Sequence, residues 1–125
     1  MNEFKIGTRE NVTAYRPGDE IAGAAAWRLD KRVDWIEVRL FWHTDGKGTQ
    51  DVEVVETVRF DQPQLEEARS FRFTAPGFPH SFSGKLISLV WSLEIVPASG
   101  DDSARVDLVI SPTGQEIQLH RDEGT

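Results

Sequence analysis

One segment of the chain places Trp35, Glu37, Arg39, Phe41 and His43 at every second position. In an extended chain, residues two apart point the same way. The rings of Trp35, Phe41 and His43 and the guanidinium of Arg39 are therefore expected on one surface, where aromatics beside a cation form a binding platform. Such a platform suits two ligand classes. It can receive a protein, either docked on the rings or adding an extended segment to a nearby sheet edge, or a sugar whose faces stack on planar side chains. The rings serve neither purpose if a loop or a neighbouring strand covers them.

Other chemistry is weaker. His43, Asp45, Asp51 and Glu53 surround one predicted hairpin tip, and oxygen and imidazole ligands there suit a divalent cation. DGKGTQD nevertheless lacks the alternating acids and twelfth-position glutamate of a calcium loop, so a solvated turn with no metal is expected. Ser81 or Ser83 beside His80 can be drawn as a catalytic pair, but no strand-turn-helix elbow presents a hydroxyl. A role for Ser81 as a turn cap, with Phe82 as its anchor, fits better. Gly46 and Gly48 are too few to cradle phosphate. No catalytic residue, metal or cofactor is expected, and the chain reads as a non-enzyme.

The charge balance sets the partners. Twenty-one acidic residues against 14 basic ones give a net charge of −7, a field that repels nucleic acid and anionic lipid headgroups. Without cysteine there is no disulfide or thiolate chemistry. The opening MNEFKIGTRE has no apolar signal core, and no apolar run approaches the length of a membrane span. A cytoplasmic protein without membrane insertion is expected. At 125 residues the chain has the size of one domain, taken as 1–125, able to bury about two thirds of its unfolded surface.

The elements that must position these residues read as strands throughout. Phe4 to Thr8 and Val12 to Tyr15 are short candidates, and Arg16-Pro17-Gly18-Asp19 is a turn. From Glu20 to Leu29 the face of Ile21, Gly23, Ala25, Trp27 and Leu29 is apolar, and its small residues predict close approach of a bulky ring such as Trp42 or Trp91. Ile36, Val38, Leu40 and Trp42 point inward from the segment Asp34 to His43, and Asp45-Gly46-Lys47-Gly48 reads as a hairpin turn. Along Asp51 to Phe60 the alternation breaks. Because an unpaired Glu56 carboxylate is costly to bury, a β-bulge near Val54-Val55 or an exposed edge at Glu56 is predicted. Asp61 to Ala68 reads as a connection and Ser70 to Ala75 as a strand. A Pro/Gly/Ser loop then leads into the face of Ile87, Leu89, Trp91, Leu93 and Ile95. Val106, Leu108 and Ile110 mark a last clear strand, and Ile117 and Leu119 a short edge. Seven or eight such strands predict an all-β, antiparallel two-sheet sandwich, with a barrel as the rival.

Two motifs carry a family resemblance. YRPGDEIAG, from Tyr15 to Gly23, resembles the arrestin-family signature in which an aromatic, a Pro-Gly turn, an acid, an apolar residue and a glycine open a long strand. Pro79, Ser81, Phe82 and Gly84 before LISLVWSLEI are similar to that family's connector into its central strand. The resemblance implies an immunoglobulin-like (arrestin-like) sandwich used for protein interaction, as in arrestins, the retromer arrestin-like subunit and bacterial sporulation-control relatives. Arrestins use two lobes and this chain has room for one. A receptor-type phosphate sensor is therefore not implied, whereas a scaffold or interaction module is. A lone lobe also leaves free the surface that a second lobe covers, which implies self-association through a sheet edge.

Overall fold

The apolar stripe of Leu89, Trp91, Leu93 and Ile95 forms the middle of the molecule, and the strand that carries it is paired on both sides. The computed structural model describes residues 2–46, 50–84, 87–100, 102–115 and 117–118. In chain order the strands are β1 (Glu3–Thr8), β2 (Ala14–Tyr15), β3 (Glu20–Arg28), β4 (Trp35–Gly46), β5 (Val52–Asp61), β6 (Glu66–Thr74), β7 (Phe82–Ser83), β8 (Ile87–Pro97), β9 (Ala104–Ile110) and β10 (Ile117–Gln118). Among the described residues the only helical element is a three-residue turn, Arg9–Asn11.

Two sheets result. The smaller has the order β1-β3-β6, and the larger runs β10-β7-β8-β4-β5, with β9 joined to β8 and β2 to β9. All the long ladders are antiparallel, as expected. The two short pairings β2 with β9 and β7 with β10 are parallel. The core between the sheets takes Ile21, Ala25, Trp27, Phe71 and Phe73 from one layer and Ile36, Val38, Leu40, Phe60, Trp91, Leu93, Ile95, Leu108 and Ile110 from the other. Both core tryptophans also anchor loops. Trp91 Nε1 donates to the Pro79 carbonyl at 2.8 Å, and Trp27 Nε1 to that of Gln64 at 3.0 Å.

Several local expectations are revised. The ring that comes closest to Gly23 is Phe71, from the adjacent strand of the same sheet, and not Trp42 or Trp91. A Cβ on Gly23 would lie 2.7 Å from the Phe71 ring and 2.1 Å from the Gly7 carbonyl oxygen. Strand β6 begins at Glu66, inside the expected connection, because Glu66 and Glu67 pair in backbone register with Arg28 and Trp27 while Arg28 and Arg69 take their carboxylates. Asp45 and Gly46 belong to β4, while the rest of that predicted turn, Lys47 and Gly48, lies outside the described residues, as do Asp101 and Leu119.

Among the described residues, strand β5 is tied to the sheet through β4 alone. Phe60 packs in the core, its ring centroid 5.7 Å from that of Trp27. On the other face, Glu37 of β4 accepts two hydrogen bonds from Arg39, at 3.0 and 2.8 Å, and two from Arg59 of β5, at 2.9 and 2.8 Å. Burial pushes the Glu37 carboxyl up, but the hydrogen bonds and charges of Arg39 and Arg59 outweigh it and hold the group below the usual glutamate range.

Replacing Trp91 by Ala is expected to cost about 3–5 kcal/mol, since it removes a fully buried ring and the tie to Pro79. In thermal denaturation this lowers Tm by about 10 °C or more, and a near-neutral shift contradicts the core assignment. Glu37→Gln is expected to cost about 1–3 kcal/mol at pH 7, toward the lower figure because solvent shares both guanidiniums. A depressed folded pKa stabilises above the unfolded value of about 4.3 and ceases to do so as pH falls through the folded one. Urea melts from pH 7 to pH 2 should therefore show the gap between wild type and Glu37→Gln closing on the acid side. A gap unchanged over that range contradicts the triad.

Candidate interaction surface

Strand β4 brings all four predicted platform residues, Trp35, Arg39, Phe41 and His43, onto the outer face of the larger sheet, opposite the core face of Ile36, Val38 and Leu40. Three of them have defined neighbours, and the fourth, His43, keeps a buried Nδ1 without a hydrogen-bond partner among the described residues. The Arg59 guanidinium sits 4.5 Å from the Trp35 ring centroid, a cation–π contact over one ring face. Arg39 is held by Glu37. Phe41 is only 7% exposed, tilted against the His43 ring at 5.9 Å. The rings line one strip of sheet, with Trp35 and His43 half-buried and Phe41 buried.

The open feature lies beside them. Strand β5 pairs with β4 on one side and with no described strand on the other. Its register slips at Leu40/Phe41: Leu40 faces Glu56 and Phe41 faces Val54, so Val55 is the extra residue of a β-bulge. The sequence signal for this was the broken alternation around Val54-Val55, and the predicted bulge and the predicted exposure of Glu56 both occur. The slip moves Val52 and Val54 to the outer face beside His43 and Phe41. It sends Glu53 and Glu56 to the side of Trp42 and Leu40, where they are exposed. Val52, Val54 and Val55 are 65%, 48% and 42% exposed.

Backbone hydrogen bonds settle which way the edge faces. Gln62 N–H donates to the Asp34 carbonyl at 2.9 Å, and Thr44 N–H to that of Asp51 at 2.9 Å. In an antiparallel ladder such bonded pairs alternate with unbonded ones. Carried along the observed register, the alternation directs the N–H and C=O groups of Val52, Val54, Thr57 and Arg59 away from β4, toward the free side. The smaller sheet does not close that side: an open groove lined by Val58, Ser70, Phe71 and Arg72 separates β5 from β6.

Charge follows the same line. On β3 and β6, Glu20, Glu66 and Glu67 each face an arginine, at 3.3, 2.8 and 3.2 Å. Among the described residues no ion pair engages Asp51, Glu53, Glu56 or Asp61 along β5. Elsewhere, Ser81 is buried and its hydroxyl accepts the Ile110 N–H at 3.0 Å, tying its loop to β9 where a turn cap was expected, while His80 Nε2 lies 3.1 Å from the Gly77 carbonyl. Among the described residues no three His, Asp or Glu side chains gather where they could hold a metal. Sequence reasoning missed Glu37 and Arg59 as partners, and it placed an exposed edge at Glu56 without extending it to the whole of β5. The spacing of Glu37 and Arg39 on one face was a visible signal for the first, whereas the second depends on strand order.

No protein-family profile and no curated protein matches this sequence. Among solved structures the chain is similar to Spo0M, a sporulation control protein from Bacillus subtilis, with a TM-score of 0.59 and 18% identity over 88% of this chain and 48% of that one. It thus spans about half the length of Spo0M. Two structures of a β-glucosidase from Listeria innocua, one in complex with gluconolactone, align over 93% of this chain and 16% of theirs, at TM-scores of 0.48 and 0.44 and identities of 10% and 12%; nothing about this chain follows from likeness at that level. With the two-sheet topology, the likeness to Spo0M establishes an arrestin-like β-sandwich, the fold that YRPGDEIAG and the connector before β8 implied.

Proposed function

We propose that the chain is a non-enzymatic interaction or scaffold module of the cytoplasm, which binds a protein partner by accepting an extended segment of it onto the β5 edge. The observation that carries this reading is the ten-residue strand with one side unpaired among the described residues, its outward N–H and C=O groups at Val52, Val54, Thr57 and Arg59. Strand addition to such an edge forms main-chain hydrogen bonds of the kind that hold sheets together, and alternate side-chain contacts supply selectivity. Val52 and Val54, exposed on the outer face of β5, are the side chains beside which the alternate side chains of the partner lie. The fold likeness to a protein described as a sporulation control protein supports a regulatory use. No described helix is long and apolar enough to cross a membrane.

A proline at Thr57 separates this reading from others. The Thr57 N–H faces the free side, so proline there blocks an incoming strand while the β4–β5 ladder keeps its bonds. Affinity capture from the native cell, compared by mass spectrometry for wild type and Thr57→Pro, should recover a specific partner with wild type alone, with Tm of the variant within a few degrees of wild type. Hydrogen exchange in the complex should slow at β5. Retention of the same partner by Thr57→Pro, with protection elsewhere, contradicts the assignment.

A further inference from the structure

We infer that the segment accepted by β5 is basic: an extended peptide in which lysine or arginine alternates with β-branched or other apolar residues. The inference rests on the edge reading above and adds the chemistry of the occupant. On β5, Glu53 and Glu56 project to one side of the strand, and Val52 and Val54 to the other. A strand laid along the free backbone groups places its own alternate side chains directly beside these, about 5 Å away across the pair. Cations on one side and apolar groups on the other complement both rows at once.

The charge state of the edge selects this occupant over a second copy of the chain. Arg59 is the sole cation of β5, and Glu37 already binds it on the outer face. The carboxylates of Asp51, Glu53, Glu56 and Asp61 have no described ion pair, in contrast to Glu20, Glu66 and Glu67. Pairing β5 with β5 of another molecule would bring both sets of acids together along one seam, and like charges placed opposite each other destabilise a strand pair. An acidic segment is disfavoured in the same way.

The test uses three soluble ten-residue peptides that alternate valine with lysine, glutamine or glutamate, and a fourth lysine peptide interrupted by a central proline. Binding is followed by amide shifts of the protein at low salt. The lysine–valine peptide is expected to shift the amides of Val52, Val54, Thr57 and Arg59, and to bind about three- to tenfold more weakly to the Glu53→Gln/Glu56→Gln variant. Binding should weaken as salt shortens the screening length below about 10 Å, and disappear with Thr57→Pro and with the proline-interrupted peptide. If all three alternating peptides bind wild type equally and Thr57→Pro abolishes each, the edge reading stands and the basic preference is overturned. Equal binding of the lysine peptide to Thr57→Pro reveals non-specific attraction to an acidic protein and overturns the inference. So does a wild-type dimer in light scattering that Thr57→Pro converts to monomer, which makes a second copy the occupant. If no peptide moves the β5 amides, the inference and the edge reading fall together.

Discussion

The long antiparallel register of β4 against β8 is the constraint from which the rest follows. It runs from Ile36 opposite Pro97 to Gly46 opposite Ile87 and brings Val38, Leu40, Trp91, Leu93 and Ile95 to one fully buried face. Burying each such side chain contributes about 1.5–3 kcal/mol, and a one-residue slip would turn all of them to solvent. The second layer, β1-β3-β6, exists to cover this face. Its close packing rests on Gly23, where only a hydrogen fits between the Gly7 carbonyl and the Phe71 ring.

A three-stranded layer covers the central strands of a wider sheet and leaves a margin. At the Phe60 end of β5 the cover is complete, with Trp27 and Arg69 against the Phe60 ring. Toward Val52 it ends. A continuous alternation there would have forced the glutamates and the valines onto fixed faces over the whole strand. The bulge at Val55 resets the phase instead, so that Phe60 and Val58 serve the core while Val52 and Val54 lie beside Phe41 and His43 on the outside. The same irregularity that resolves the packing conflict therefore builds the surface to which we assign binding. The Glu37 triad fixes the strand against β4 without consuming its outer backbone groups.

Much of this was legible in local pattern. The inward faces of β3, β4 and β8 follow from period-two alternation, the bulge from a carboxylate in the wrong phase, and the arrestin-like architecture from Tyr15 to Gly23 and the connector before β8. What was not legible is non-local. Glu66 and Glu67 look like loop residues until Arg28 and Arg69 are beside them, and the ring over Gly23 comes from the neighbouring strand and not from across the layers. Trp35, Arg39, Phe41 and His43 share the face that their spacing implied. Their engagement by Arg59, Glu37 and each other depends on β5 as a neighbour, and the openness of β5 depends on strand order, which no short-range pattern encodes.

Amide hydrogen exchange in the free protein tests the central claim, an unpaired outer side of β5, most directly. The account predicts a sawtooth along the strand: fast exchange at Val52, Val54, Thr57 and Arg59, whose N–H groups face solvent, and slow exchange at Glu56, Val58 and Phe60, which bond to β4. Uniform protection along β5 would mean that its edge is already covered and would contradict the account.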